Sequence, residues 1–196
     1  MELEPVHIVF ELLELKEKLV LSDEVINKTQ LLYEMAKQSG LSRGRKIPIL
    51  IGAAVYIACR ETQYPRTLND ISKGLGIKRR TLAKVCRTMI SGLALSIPLT
   101  DTSKFITRLA VITKISNRTK QVAVRVMNEI TKREIPAGKK PMSVAAAVLY
   151  MSCEISGEHK SQTEIANAAG ISSITLRNRF LELKGKIRRK GKEGLT

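Results

Sequence analysis

Tryptophan is absent and aromatic residues make up only 4% of the sequence, so the stacked-ring platforms that hold single-stranded bases have no raw material here. The three cysteines, Cys59, Cys86 and Cys153, lie far apart without a C-x-x-C pair. That argues against a disulfide framework and a zinc site and fits a reducing, intracellular compartment. Histidine occurs only as His7 and His159. With no H-x-x-x-H spacing and no Gly-rich phosphate loop beside them, neither an enzyme nor a cofactor is expected. No apolar run approaches the ~20 residues needed to span a bilayer, and the amino terminus lacks the basic-then-apolar order of a signal peptide. A soluble, unexported protein with no membrane partner is the expectation.

Acidic residues are also scarce. Asp and Glu number 18 against 34 Lys and Arg, leaving a net charge of +16, far beyond what solubility needs, and a polyanion is the natural partner. The imbalance is local: residues 1 to 36 hold eight acidic and three basic residues, whereas 37 to 94 hold two acidic and twelve basic ones.

What the sequence has in abundance is self-similarity. Shifted by 94 residues, Gly44 to Met89 aligns with Gly138 to Leu183 without a gap, and ten of the 46 pairs are identical; chance would supply about three at usual residue frequencies. The pairs are Gly44/Gly138, Lys46/Lys140, Ala53/Ala147, Tyr56/Tyr150, Cys59/Cys153, Ile71/Ile165, Gly76/Gly170, Ile77/Ile171, Thr81/Thr175 and Leu82/Leu176. The same shift pairs Leu15 with Leu109 and Ser22 with Ser116, so two copies of one unit account for nearly the whole chain.

Each copy reads as five helices. In the first, His7 to Lys18 is a short amphipathic stretch and Ser22 caps a second helix that places Val25, Thr29, Leu32 and Ala36 on one face and ends at Gly40. A third helix from Lys46 carries Leu50, Ala53, Ala54, Ile57 and Ala58 at i, i+3, i+4, i+7 and i+8, a wide stripe of mostly small residues that marks it as the central helix. Thr67 caps a short helix to Lys73, Gly74 and Gly76 break it, and a fifth runs from Lys78 to Gly92. The second copy repeats the plan, with caps at Ser116 and Ser161 and a central stripe of Val144, Ala147, Val148 and Met151. No period-2 alternation long enough for a sheet occurs. An all-α chain of two tandem domains follows: 1–96, 97–183, and a basic tail from Lys184 to Thr196 that reads as a flexible extension. The joint is placed in Leu93–Thr100, where Pro98 ends helical continuation.

The second copy contains a helix-turn-helix pattern in Gln162-Thr163-Glu164-Ile165-Ala166, Gly170-Ile171 and Ser173-Ile174-Thr175-Leu176-Arg177. Ala166 allows close approach, Gly170 makes the turn, and Ile165, Ile171 and Leu176 hold the pair together. Ser173, Ile174 and Arg177, with Thr175 beside them, then line an exposed face fit for a major groove, where an arginine bonds guanine and an apolar side chain meets a thymine methyl. A plain structural corner is the competing reading. The first copy keeps the corner but clusters Lys78, Arg79, Arg80, Lys84 and Arg87 on its last helix, a face for phosphates or an acidic partner, or a merely solvated one. The turns Arg43-Gly44-Arg45-Lys46 and Gly138-Lys139-Lys140 put basic residues just before each central helix, where free backbone amides also favour phosphate. Position alone does not separate that from a simple turn.

These residues carry a resemblance. Gly44-Arg45 leading into Ala53-Ala54-Val55-Tyr56-Ile57-Ala58-Cys59-Arg60 and Pro65-Arg66-Thr67, with Pro141-Met142-Ser143-Val144-Ala145-Ala146-Ala147-Val148-Leu149-Tyr150 and Gln162-Thr163-Glu164-Ile165 in the second copy, resembles the tandem cyclin-like repeats of transcription factor IIB and its archaeal counterpart, transcription factor B. The resemblance implies two five-helix cyclin-like folds, the second with a DNA-reading helix-turn-helix. It implies promoter double-stranded DNA and TATA-binding protein as partners of a monomeric, non-enzymatic initiation factor core. Ile174 and Arg177 match the base-reading positions for the element upstream of the TATA box, and Gly44 and Arg45 match a loop near the minor groove downstream of it. The DNA-binding set so assembled is Gly44, Arg45, Lys139, Lys140, Thr163, Ser173, Ile174, Thr175 and Arg177. Lys78, Arg79, Arg80, Lys84 and Arg87 match the region near TATA-binding protein and adjacent DNA.

Two departures qualify the resemblance. Full-length family members begin with a zinc ribbon and linker that engage RNA polymerase, and this sequence has neither, so a core fragment or shortened paralogue that binds promoters without supporting transcription is expected. The basic tail matches no family motif. The alternatives are a kinase-activating cyclin and the related RNA polymerase III factor. The near-equal copies, the helix-turn-helix and the charge weigh against the cyclin, while the polymerase III factor shares the fold. The compact repeats favour an archaeal source, hence a cytoplasmic or nucleoid location; a eukaryotic source would place it in the nucleus.

Overall fold

The computed structural model describes the backbone of residues 3–132 and 140–193, and the side chains of 10–132 and 140–187. Among these the structure is wholly helical, with ten helices and no strand. The chain divides into two compact units, Met1–Leu99 and Thr100–Thr196, five helices in each. The division falls at Leu99/Thr100, inside the Leu93–Thr100 stretch expected for the joint, and the connecting segment is bonded back to the first unit. Arg60 Nη2 donates to the Pro98 carbonyl at 2.8 Å and Gln63 Nε2 to the Leu99 carbonyl at 2.9 Å.

In the first unit α1 is Leu3–Leu19, α2 Asp23–Gln38, α3 Ile47–Glu61, α4 Leu68–Gly74 and α5 Arg79–Gly92. Ser22 Oγ accepts from the Val25 amide at the start of α2, and Pro48 sits in the first turn of α3, where its missing N–H costs nothing. Helix α3 is buried nearly all round, from Leu50 to Val55 and from Ile57 to Cys59, and all four other helices of the unit pack on it. Small residues at Gly52, Ala53, Ala54 and Ala58 let the neighbours approach, so the central role expected from the stripe is the one observed. A chain reversal follows α1, where Val20 takes the left-handed φ of 48°. Arg66 holds this reversal in place: its Nε donates to the Leu19 carbonyl at 2.6 Å, its plane lies over the Tyr64 ring, and the Tyr64 hydroxyl donates to the Val20 carbonyl.

The second unit repeats this plan with α6 Thr102–Ile112, α7 Asn117–Lys132, α8 Pro141–Ser156, α9 Gln162–Ala169 and α10 Ser173–Glu193. Helix α8 is the buried centre, covered from Met142 to Leu149 and again at Met151 to Cys153, with α6, α7, α9 and α10 around it. Glu158, just past α8, accepts from both the amide and the hydroxyl of Ser116 at 2.9 and 2.6 Å, tying the end of α8 to the start of α7. Those bonds hold its carboxyl below the usual carboxylate range.

Residues 184–193, whose composition reads as a tail, are helical here. Helix α10 continues to Glu193 because Phe180, Leu183 and Ile187 extend one apolar face onto the core. Glu182 also bridges Lys186 at 3.0 Å, one turn on. No helix among the described residues is long and apolar enough to cross a membrane.

Candidate nucleic-acid interface

The two corners are built alike. Thr67 and Ser161 each cap their short helix in a reciprocal box: the hydroxyl accepts from the backbone amide three residues on, and the carboxylate there, Asp70 or Glu164, accepts from the cap's own amide. A glycine of left-handed φ follows each short helix, 64° at Gly76 and 63° at Gly170. The next residue then bonds back across the turn, Ile77 to the Ser72 carbonyl at 2.9 Å and Ile171 to the Ala166 carbonyl at 3.0 Å. Ile71 and Leu82 in one unit, and Ile165 and Leu176 in the other, are fully buried beneath the corner.

What differs is the surface. At the start of α10, Ser172 Oγ accepts from the Thr175 amide at 3.1 Å and lies 2.8 Å from Thr175 Oγ1. Thr175, itself exposed, is thereby engaged at the cap, while Ile174 and Arg177 form the outward face with Ser173 at its edge. Ile174 is 72% exposed. Arg177 is exposed and Ser173 half-buried. Thr163 is exposed on α9. Asn178 and Leu181, one and two turns beyond Ile174, prolong the same exposed face; helical spacing alone could have named them. This face can offer a fork of guanidinium donors, an amide and an apolar surface, the combination that reads base edges in a major groove.

In the first unit the position equivalent to Ile174 is Arg80 and that equivalent to Arg177 is Ala83. Lys78, Arg79, Arg80, Lys84 and Arg87 are all exposed, and Arg80, Lys84 and Arg87 follow one line down α5 at i, i+4 and i+7. Lys78, Arg79 and Arg80 crowd a helix start with no acidic residue in the first turn. Cations there oppose the helix dipole, so the arrangement costs stability and draws anions to the unpaired amides.

The turn before α3 has Gly44 exposed at φ 69°. Arg45 is half-buried and folds its Nη1 back to donate to the Leu41 carbonyl, so its guanidinium is committed in part to the turn itself. Lys46 is the exposed N-cap residue of α3 and makes no side-chain cap bond, as is true of Lys140 at α8. Lys46 belongs with Lys140 by this geometry, and the identity of the two residues was its signal. Lys139 lies outside the described residues. Leu41 packs this turn against Gly92, at the end of α5 remote from Lys78. The α5 cations, from Arg87 to Lys78, therefore extend away from the turn over ~14 Å of helix. Arg45 and Lys46 on one side, and the α9–α10 face on the other, belong to different units.

Burial pushes the thiols of Cys59 and Cys86 up to about 12 and that of Cys153 to about 11, which leaves them protonated and inert. Among the described residues no His, Cys, Asp and Glu group could hold a metal ion.

The corner's integrity is testable apart from its surface. Leu176→Ala removes a fully buried side chain and is expected to cost about 2 to 5 kcal/mol, read as a lower unfolding midpoint although no exposed residue has changed.

Comparison with known proteins agrees with this anatomy. Residues 9–91 and 95–186 each match the model of the transcription factor TFIIB repeat. The chain is 36% identical over 163 residues to the transcription initiation factor IIB of Ignicoccus hospitalis, covering 83% of this chain and 52% of that protein. Against transcription initiation factor IIB 2 of Thermococcus kodakarensis it is 37% identical over 156 residues, 80% of this chain and 51% of the relative. Against the Pyrodictium occultum factor the figures are 33% over 177 residues, 90% and 57%. The chain thus spans about half the length of these relatives. With both repeats matched over most of its length, this chain belongs to the transcription factor TFIIB repeat family.

Proposed function

We propose that this chain is the promoter-docking core of an intracellular transcription initiation factor of the IIB type. It binds the complex of TATA-binding protein with promoter DNA, reads the element upstream of the TATA box through α10, and so orients assembly for RNA polymerase. The observation that carries the proposal is the contrast between two corners of one design. In the second unit the corner presents Ser173, Ile174 and Arg177, a base-reading set. In the first, the same frame presents Arg80 and Lys84 with Lys78, Arg79 and Arg87, a set for phosphates and an acidic protein surface. Lys46, Lys140, Gly44 and Arg45 add backbone-directed contacts at the two central-helix starts.

The experiment is a mobility shift on a TATA-containing promoter. The chain should retard the DNA further when TATA-binding protein is present, and the shift should weaken when the upstream flank is scrambled. A chain that retards DNA equally with and without TATA-binding protein would contradict the proposal.

A further inference from the structure

Helices α2 and α7 occupy the same place in the two repeats, and their register is fixed by what they bury. Val25, Thr29, Tyr33 and Ala36 are buried in α2, and Thr119, Ala123, Met127 and Ile130 are buried in α7; each pair is 94 residues apart. The exposed positions therefore correspond, except that exposed Gln30 matches half-buried Val124. On α7 they include Arg118, Gln121, Arg125, Asn128 and Lys132, all exposed. At 3.6 residues per turn these five fall within an arc of about 80° and form a line down the helix. On α2 the same positions are Glu24, Asn27, Leu31, Glu34 and Gln38, also all exposed. The fold has been kept while the face has changed from two carboxylates and no cation to three cations and no carboxylate.

We infer that the Arg118–Gln121–Arg125–Asn128–Lys132 face of α7 is a second nucleic-acid contact, one that grips the phosphate backbone of duplex DNA without reading its sequence. The side chains are the kinds that bond phosphate oxygens, cations alternating with amides. Arg118, Arg125 and Lys132 recur every seven residues, about 10.5 Å apart along a rigid rod. Among the described residues Arg118 and Arg125 meet no carboxylate, and Lys132 reaches Glu129 alone, at 3.4 Å on the exposed surface. An acidic protein partner fits less well, because the line contains no aromatic or apolar anchor of the kind that dominates protein interfaces. None of these residues lies on α9 or α10, so the contact stands whether or not α10 reads bases.

The test uses the whole chain and a 30-base-pair duplex that lacks both a TATA box and an upstream element, with affinity measured across a potassium chloride series. The triple variant Arg118→Gln, Arg125→Gln, Lys132→Gln should bind at least about tenfold more weakly at low salt. Its log–log salt slope should be shallower by about 2 to 3, near 0.9 for each phosphate the variant no longer neutralises. The substituted positions are solvent-exposed, so the melting temperature should stay that of the parent. The converse graft, Glu24→Arg with Leu31→Arg and Gln38→Lys, should raise affinity and steepen the slope, and it remains decisive if the triple variant proves unstable. Unchanged affinity and slope in either variant overturns the inference. So does a triple variant that loses only its binding to polyglutamate, which would mark the face as one for acidic protein.

Discussion

Arg177→Ala is expected to remove about 1 to 3 kcal/mol of discrimination among sequences upstream of the TATA box, roughly a 5- to 150-fold loss of preference. The reason lies in how the side chain is held. Leu176, its neighbour, is fully buried and the Ser172 cap fixes the first turn, so the guanidinium projects from a rigid start of α10 rather than from a mobile loop. Rigidity matters because a bidentate bond to guanine needs both donors aligned at once. Affinity for unrelated duplexes should fall much less, since on those sequences the side chain can serve one phosphate at most. Competition binding with a panel of upstream flanks measures both quantities, and equal weakening on every flank would assign Arg177 to phosphate instead.

A larger change in affinity is expected from charge reversal on α5. Replacing Arg79, Arg80 and Lys84 with glutamate alters the net charge by six at a helix start that now has three cations and no acid. Assembly on TATA-binding protein and DNA should weaken at least about a hundredfold at low salt, and equally on every upstream sequence. Repulsion replaces attraction at each position, and like charges brought against a partner cost several kcal/mol. Added salt should shrink the difference, because exposed charges are screened over ~8 to 10 Å at ordinary ionic strength. The fold should survive, for acidic residues suit a helix N-terminus better than the cations they replace. A triple variant with unchanged affinity and salt slope would remove α5 from the interface.

Much of this anatomy is spelled in the residues. The offset of 94 located both corners, and Thr67, Ser161, Gly76 and Gly170 marked their starts and turns because capping and left-handed backbone are local properties. Burial of Ile165 and Leu176 beneath an exposed Ile174 follows from helical spacing once the corner is placed. What escaped were non-local matters. The joint falls inside the expected Leu93–Thr100 stretch, but its anchoring by Arg60 and Gln63, which reach the Pro98 and Leu99 carbonyls from nearly forty residues earlier, is not a local property. The stretch after Leu183 looks like a charged tail by composition, yet Ile187 finds a core to pack on. Arg45 reads as a free cation, but its rotamer returns it to Leu41. The α7 line is visible in the sequence, though its contrast with α2 acquires meaning only when the buried positions fix both registers.

The central claim, that one repeat frame carries a base-reading corner in the second unit and a charge-bearing corner in the first, is tested most directly by footprinting on a TATA promoter with TATA-binding protein bound. The chain should extend protection into the upstream flank. Moving the upstream element to the opposite side of a symmetrised TATA box should move that extended protection with it. Arg177→Ala should abolish the move while leaving complex formation in place, and the α5 reversal should abolish the complex on either template. Protection that stays where it was when the element is moved, or that disappears for both variants alike, would contradict the division of labour between the corners.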